Sequence, residues 1–87
     1  MKIYYSSKFE REYKHLSLKI KKTAEKKENI FRLNPFDQSL KTHKLSGKLR
    51  EFWSFSLDDK YRLIFEFVDG QTVWFHSVGK HDIYETF

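Results

Sequence analysis

Residues Tyr61 to Phe87 read YRLIFEFVDGQTVWFHSVGKHDIYETF, and this stretch decides how the chain folds. Tyr61–Val68 and Thr72–Val78 are rich in β-branched and aromatic residues, the composition of strands. Asp69-Gly70 between them is a strong hairpin signal. The two strands therefore lie side by side. Arg62, near the start of the first, comes close to whatever follows the second. That segment, Val78-Gly79-Lys80-His81-Asp82-Ile83-Tyr84, holds groups able to donate, accept or shuttle protons.

Upstream, Asp58-Asp59-Lys60 turns the chain out of a strand spanning about Leu49 to Leu57, and Ser46-Gly47 marks the turn before it. Phe36–Lys48 has little periodicity and reads as a connection. Asn34-Pro35 ends a helix, because proline lacks an N–H and restricts the residue before it. That helix runs from about Leu18 to about Arg32, with Leu16, Ile20, Ala24, Ile30 and Phe31 as its inner face. Lys19, Lys21, Lys22, Lys26 and Lys27 line the outer face, with Glu25 and Glu28 interspersed. Ser17 breaks it from a first helix, in which Phe9, Tyr13 and Leu16 recur at the spacing of a buried stripe. Ser6 or Ser7 caps that helix, with Glu10 three residues after Ser7 as in a capping box. Lys2–Tyr5 reads as the first strand.

Two helices joined by so short a link pair antiparallel. The order β-α-α-β-β-β then implies an α+β domain, its N-terminal helical hairpin packed on one face of a small antiparallel sheet. The other face is left partly open, and a site would sit there.

A chain of 87 residues makes one domain, residues 1–87. At this length roughly 60–65% of the unfolded surface is buried, so the core needs large side chains. Nine Phe, five Tyr and two Trp supply them. The absence of cysteine excludes disulfides and thiolate metal sites. His15, His43, His76 and His81 lack the spacing of a common metal site, so no metal and no cofactor is expected. No apolar run approaches the ~20 residues of a membrane span. Met1-Lys2-Ile3-Tyr4-Tyr5 lacks the apolar region of a signal peptide, and the expectation is a soluble, cytoplasmic domain.

The net charge of +5 is unevenly spread. Up to Pro35 ten basic residues face four acidic ones, whereas from Tyr61 onward two face four. The positive charge is thus mostly helical surface. It attracts polyanions but carries neither sequence information nor chemistry.

Leu45-Ser46-Gly47, Phe52-Trp53-Ser54, Tyr61-Arg62-Leu63-Ile64-Phe65 and Val78-Gly79-Lys80-His81-Asp82 with Tyr84 follow one another in a specific order. This progression resembles the RelE/ParE superfamily of bacterial toxin–antitoxin systems over the whole chain. The Leu-x-Gly…Trp-Ser…Tyr-Arg-Leu run is similar to the YoeB branch, and Ser-Val-Gly-Lys followed by a basic residue is similar to RelE. His43 with Leu45 and Gly47 resembles the His-x-Leu-x-Gly of the YafQ branch. The resemblance implies a RelE-like fold and an endoribonuclease that cuts mRNA in the ribosomal decoding site, restrained by a cognate antitoxin. Metal-independent cleavage of RNA needs a base for the 2′-OH, a cation for the phosphorane and an acid for the leaving oxygen.

The resemblance assigns Arg62 to the cation, suited by its planar, permanent charge. His81 falls where relatives carry a catalytic Arg or His, and imidazole titrates near neutrality. His43 is the candidate base. Tyr84 or Phe87 supplies an aromatic face for a splayed-out base, and the resemblance does not choose between them. Lys41, Lys44, Lys48 and Lys80 are phosphate-contact candidates, whereas Trp53 and Trp74 read as packing.

The chain departs from the YafQ pattern at Ser56 and Lys60, where that branch has His and Asp. Lys41 and Lys44 echo the RelE lysine cluster only in part. The set is closest to a mixed YoeB-like one. Two other readings stand beside the nuclease. A ParE-like gyrase inhibitor shares the fold without the acid–base set, and a basic nucleic-acid binder only contacts phosphates. The Lys-rich helical pair offers a surface to acidic antitoxin side chains.

Overall fold

The computed structural model describes all 87 residues. Strands β1 (Lys2–Tyr5), β2 (His43–Lys44), β3 (Trp53–Ser56), β4 (Tyr61–Phe67) and β5 (Thr72–Lys80) form one sheet in the order β1-β5-β4-β3-β2. Helices α1 (Ser7–Lys14) and α2 (Leu18–Leu33) lie between β1 and β2, and a short α3 (Ile83–Thr86) ends the chain. The α+β class and the helix-then-strand order are those expected, but the sheet is mixed rather than wholly antiparallel. β1 pairs parallel with β5, while the other three pairings are antiparallel. A parallel neighbour needs a long crossover connection, and the helical pair begins one.

Two further differences are local. The strand expected from about Leu49 starts at Trp53, because Gly47, with a left-handed φ of 65°, opens a 3-10 turn over Gly47–Leu49. The two-residue β2 pairs with Ser54 and Trp53; so short a strand leaves no periodicity to read.

The hairpin of β4 and β5 is the centre of the sheet. Its connection is not a two-residue Asp-Gly turn, for neither Asp69 nor Gly70 has a positive φ. The Asp69 Oδ1 instead accepts the Gln71 N–H at 2.8 Å, an Asx turn. That backbone hydrogen bond holds the Asp69 carboxyl below its usual range. β5 runs to Lys80, past the expected end at Val78, so Arg62 lies opposite Gly79 and Tyr61 opposite Lys80. The register shifts between Ile64 and Phe65, which face Ser77 and Phe75 and leave His76 as the extra residue. This bulge lets Phe75 and Val78, three positions apart, both join the core.

Ser6, not Ser7, caps α1, accepting the Phe9 N–H at 3.0 Å, which puts Glu10 one position beyond the capping-box site. Ser17 caps α2 through the Ile20 N–H at 3.2 Å. The core lies between the helices and the sheet. Phe31 of α2 is wholly buried, its ring 4.9–5.6 Å from those of Phe55, Phe65 and Phe75 on three adjacent strands.

α1 covers the edge of β5 where β1 stops. There Glu12 Oε1 accepts the Val78 N–H at 3.1 Å and the Ser77 hydroxyl at 2.8 Å, satisfying an edge that a strand would otherwise pair. On the opposite face α3 seats Ile83 against Gly79. A Cβ at Gly79 would fall 2.7 Å from the Ile83 Cγ2, so only glycine allows this approach. No helix is long and apolar enough to cross a membrane.

Candidate active site

A cleft of about 400 Å³ opens on the face that carries α3. Lys41, His43, Leu45, Ser56, Arg62, His81 and Tyr84 line it. They come from four places in the chain: the loop into β2, the end of β3, the start of β4, and the turn and helix after β5. Strand pairing does the gathering. His43 faces Ser54 across β2 and β3, Ser56 faces Arg62 across β3 and β4, and Arg62 faces Gly79 across β4 and β5. Two lining residues are cationic and none is acidic, so the cleft favours an anion.

The Arg62 guanidinium is anchored from one side. Its Nη1 donates to the carbonyls of Asp58 at 2.6 Å and Tyr61 at 3.0 Å, which leaves Nη2 and Nε for an outside acceptor. Arg62 also borders a second, smaller cavity of about 220 Å³, where Lys27 and Lys41 are balanced by Asp58 and Asp59.

His43 is oriented by Lys41, whose φ of 53° puts it in the left-handed region that non-glycine residues rarely occupy. The Lys41 carbonyl lies 3.1 Å from His43 Nδ1. A carbonyl only accepts, so this contact puts the proton of the neutral ring on Nδ1 and leaves the Nε2 lone pair free. The Tyr84 hydroxyl is 2.7 Å from the Ser54 Oγ, and its ring meets His81 edge-on at 5.4 Å between centroids.

His43, Arg62, His81, Tyr84 and Lys41 thus share one cleft. The remaining residues singled out from the sequence do not. Phe87, the alternative stacking aromatic, sits against Phe52 at 4.9 Å and His76 at 6.0 Å, with the Lys8 ammonium 5.5 Å from its ring. Its apolar neighbours lie there, outside the cleft. Lys80 turns to the helical side, its ammonium 5.9 Å from the Tyr61 ring. Lys44 alternates with His43 in β2 and so points the other way. Lys48 lies exposed in the 3-10 turn. Ser54, Ser56 and Gly79 belong to the site's frame without having been singled out as site residues. Ser56 stood out only as a departure from the YafQ pattern and Gly79 only within a motif; that each sits opposite a site residue is visible once the register is known.

No family model and no curated protein sequence matches the chain. Solved structures do match its fold. A YoeB/ParE toxin from Agrobacterium tumefaciens is 16% identical at a TM-score of 0.78, with 93% of this chain and 99% of that one covered. YafQ from E. coli is 17% identical at 0.76, covering 94% of each chain. The RelB–RelE antitoxin–toxin complex from Methanococcus jannaschii matches at 23% identity and 0.73, over 97% and 98%. The chain has the RelE-like fold. Toxins of antitoxin–toxin pairs, RelE and YafQ, are among the proteins that share it.

Proposed function

We propose that this chain is the toxin of a toxin–antitoxin pair and a metal-independent endoribonuclease acting on mRNA in the ribosomal decoding site. The observation that carries the proposal is the convergence of two imidazoles, one guanidinium and one phenol ring on a single cationic cleft. His43 Nε2 takes the proton of a ribose 2′-OH, and the freed oxygen attacks the adjacent phosphorus. Arg62 holds the non-bridging oxygens as charge builds on them. The bond from phosphorus to the 5′-oxygen breaks, and protonated His81 supplies the proton that this oxygen takes up. The products are a 2′,3′-cyclic phosphate and a 5′-hydroxyl. Tyr84 stacks on a base turned out of the strand, and Lys41 binds a neighbouring phosphate. A gyrase inhibitor would need none of these groups in one place.

The fold shared with an antitoxin–toxin complex supports a cognate antitoxin as partner. Brief expression followed by mapping of RNA 5′ ends tests the reading. It calls for new ends within ribosome-bound transcripts, absent with Arg62→Ala or His81→Ala. Intact transcripts alongside DNA damage would favour gyrase instead.

A further inference from the structure

The open face of the sheet bears a second feature, remote from the cleft. Tyr4 of β1 and Trp74 of β5 are register partners, and their rings lie 5.6 Å apart at 28° between planes. His76 continues the row 6.0 Å from Trp74 at 19°. Near-parallel rings at these separations are offset, and His76 is closed in by Phe52 at 5.2 Å and Phe87 at 6.0 Å, so the open ring surface belongs to Tyr4 and Trp74. Tyr4 is 46% exposed and Trp74 37%, although Val73 and Phe75 on either side of Trp74 are fully packed in the core.

We infer that Tyr4 and Trp74, buttressed by His76, form a stacking platform for the bases of single-stranded nucleic acid. Every base has a π-face, so such a surface is sequence-tolerant, and it excludes a duplex whose faces are already stacked. Lys2 alternates onto the same side as Tyr4 and has no acidic partner, which supplies a cation for the backbone. Glu66, the register partner of Trp74, is held by His76 Nε2 at 2.9 Å, and Lys8 shares its charge with Glu12. β5 links the platform to the cleft. Trp74 and Gly79 are five residues apart, about 16 Å at the rise of a strand, with Ile83 seated on Gly79 and Phe87 against His76 between them. The inference deepens the nuclease reading, and rests on it only for the identity of the nucleic acid delivered.

The test uses the full chain and a short, unstructured, 2′-O-methylated RNA that cannot be cleaved, with tryptophan fluorescence and affinity as readouts. Trp74→Ala should weaken binding about 5- to 150-fold while leaving the salt dependence unchanged. Trp74→Phe should restore most of the affinity and Trp74→Leu should not. Single-stranded DNA of equal length should show the same Trp74 dependence. Rescue by leucine, unaltered affinity in Trp74→Ala, or fluorescence unmoved by the RNA would overturn the platform, as would a Trp74 effect seen only on binding a protein partner. Trp74-dependent binding by a chain that never cleaves mRNA would sink the nuclease reading and leave the platform standing. Cleavage with Trp74-independent binding would do the reverse.

Discussion

At the scale of single residues, the role proposed for His43 as base rests on its neighbour. The left-handed Lys41 turns its carbonyl onto Nδ1, which fixes the tautomer that leaves Nε2 free. Replacing His43 with Ala should lower the cleavage rate about 10²–10⁴-fold, the range for losing one proton-transfer group. The melting temperature should barely move, since the ring is exposed. A rate within a few-fold of the parent would remove His43 from the mechanism.

Tyr5 offers an independent check on the packing. Burial, then a hydrogen bond to the Glu28 carboxylate, pushes its pKa up to about 12. An unfolded tyrosine titrates near 10, so between these values the unfolded state loses its proton first and stability falls as pH rises. Urea unfolding at pH 9 and pH 11 should show a smaller alkaline loss in Tyr5→Phe than in the parent; equal losses would contradict the assignment. The nearness of Arg62 and His81 was legible in the sequence from hairpin pairing alone, while the roles proposed for them came from the resemblance. That Tyr84 and not Phe87 lines the cleft was not legible. It depends on Phe87 finding Phe52 and His76, contacts made across 35 and 11 positions of chain.

Elements hold these residues in place, and at the joint between β5 and α3 the approach is close enough to require glycine. Ile83 is buried and β-branched, so it cannot swing away from a new Cβ at Gly79. Gly79→Ala should cost about 1–3 kcal/mol, as overpacking does. It should also lower activity by shifting Tyr84 and His81, read as a reduced urea midpoint together with a slower cut. A variant of full stability and rate would mean that α3 is not seated as described. Ser17→Ala should cost about 1 kcal/mol through the lost cap, without changing the cut.

Both helices were legible because a 3.6-residue stripe and a serine cap are local signals. β2 and the parallel pairing of β1 were not, for each is decided by a partner far along the chain. The Asp-Gly pair announced a hairpin correctly, yet the turn took its shape from the Asp69 side chain.

For the whole molecule, one aromatic cluster joins the helical layer to three strands. Phe31→Ala empties the centre of it and should cost about 3–5 kcal/mol. For a domain whose total stability is of the order of 5–15 kcal/mol, calorimetry should then find a steep drop in melting temperature or no cooperative transition. A loss below about 1 kcal/mol would show the core to be centred elsewhere. Composition announced this core through its aromatics, and element order announced the α+β layers. The open face was legible only as an absence of covering helix; what lies on it came from the bulge at His76 and the closing turn of α3.

As proposed, the cleft cuts RNA through the ribose hydroxyl beside the broken bond. Programmed ribosomes given mRNA with a single 2′-deoxy substitution at the mapped cleavage position put this chemistry to the test. The unmodified message should yield a 2′,3′-cyclic phosphate and a 5′-hydroxyl, and the substituted one should stay uncut. Equal cleavage of both messages, or ends bearing a 5′-phosphate, would rule out attack by the 2′-oxygen.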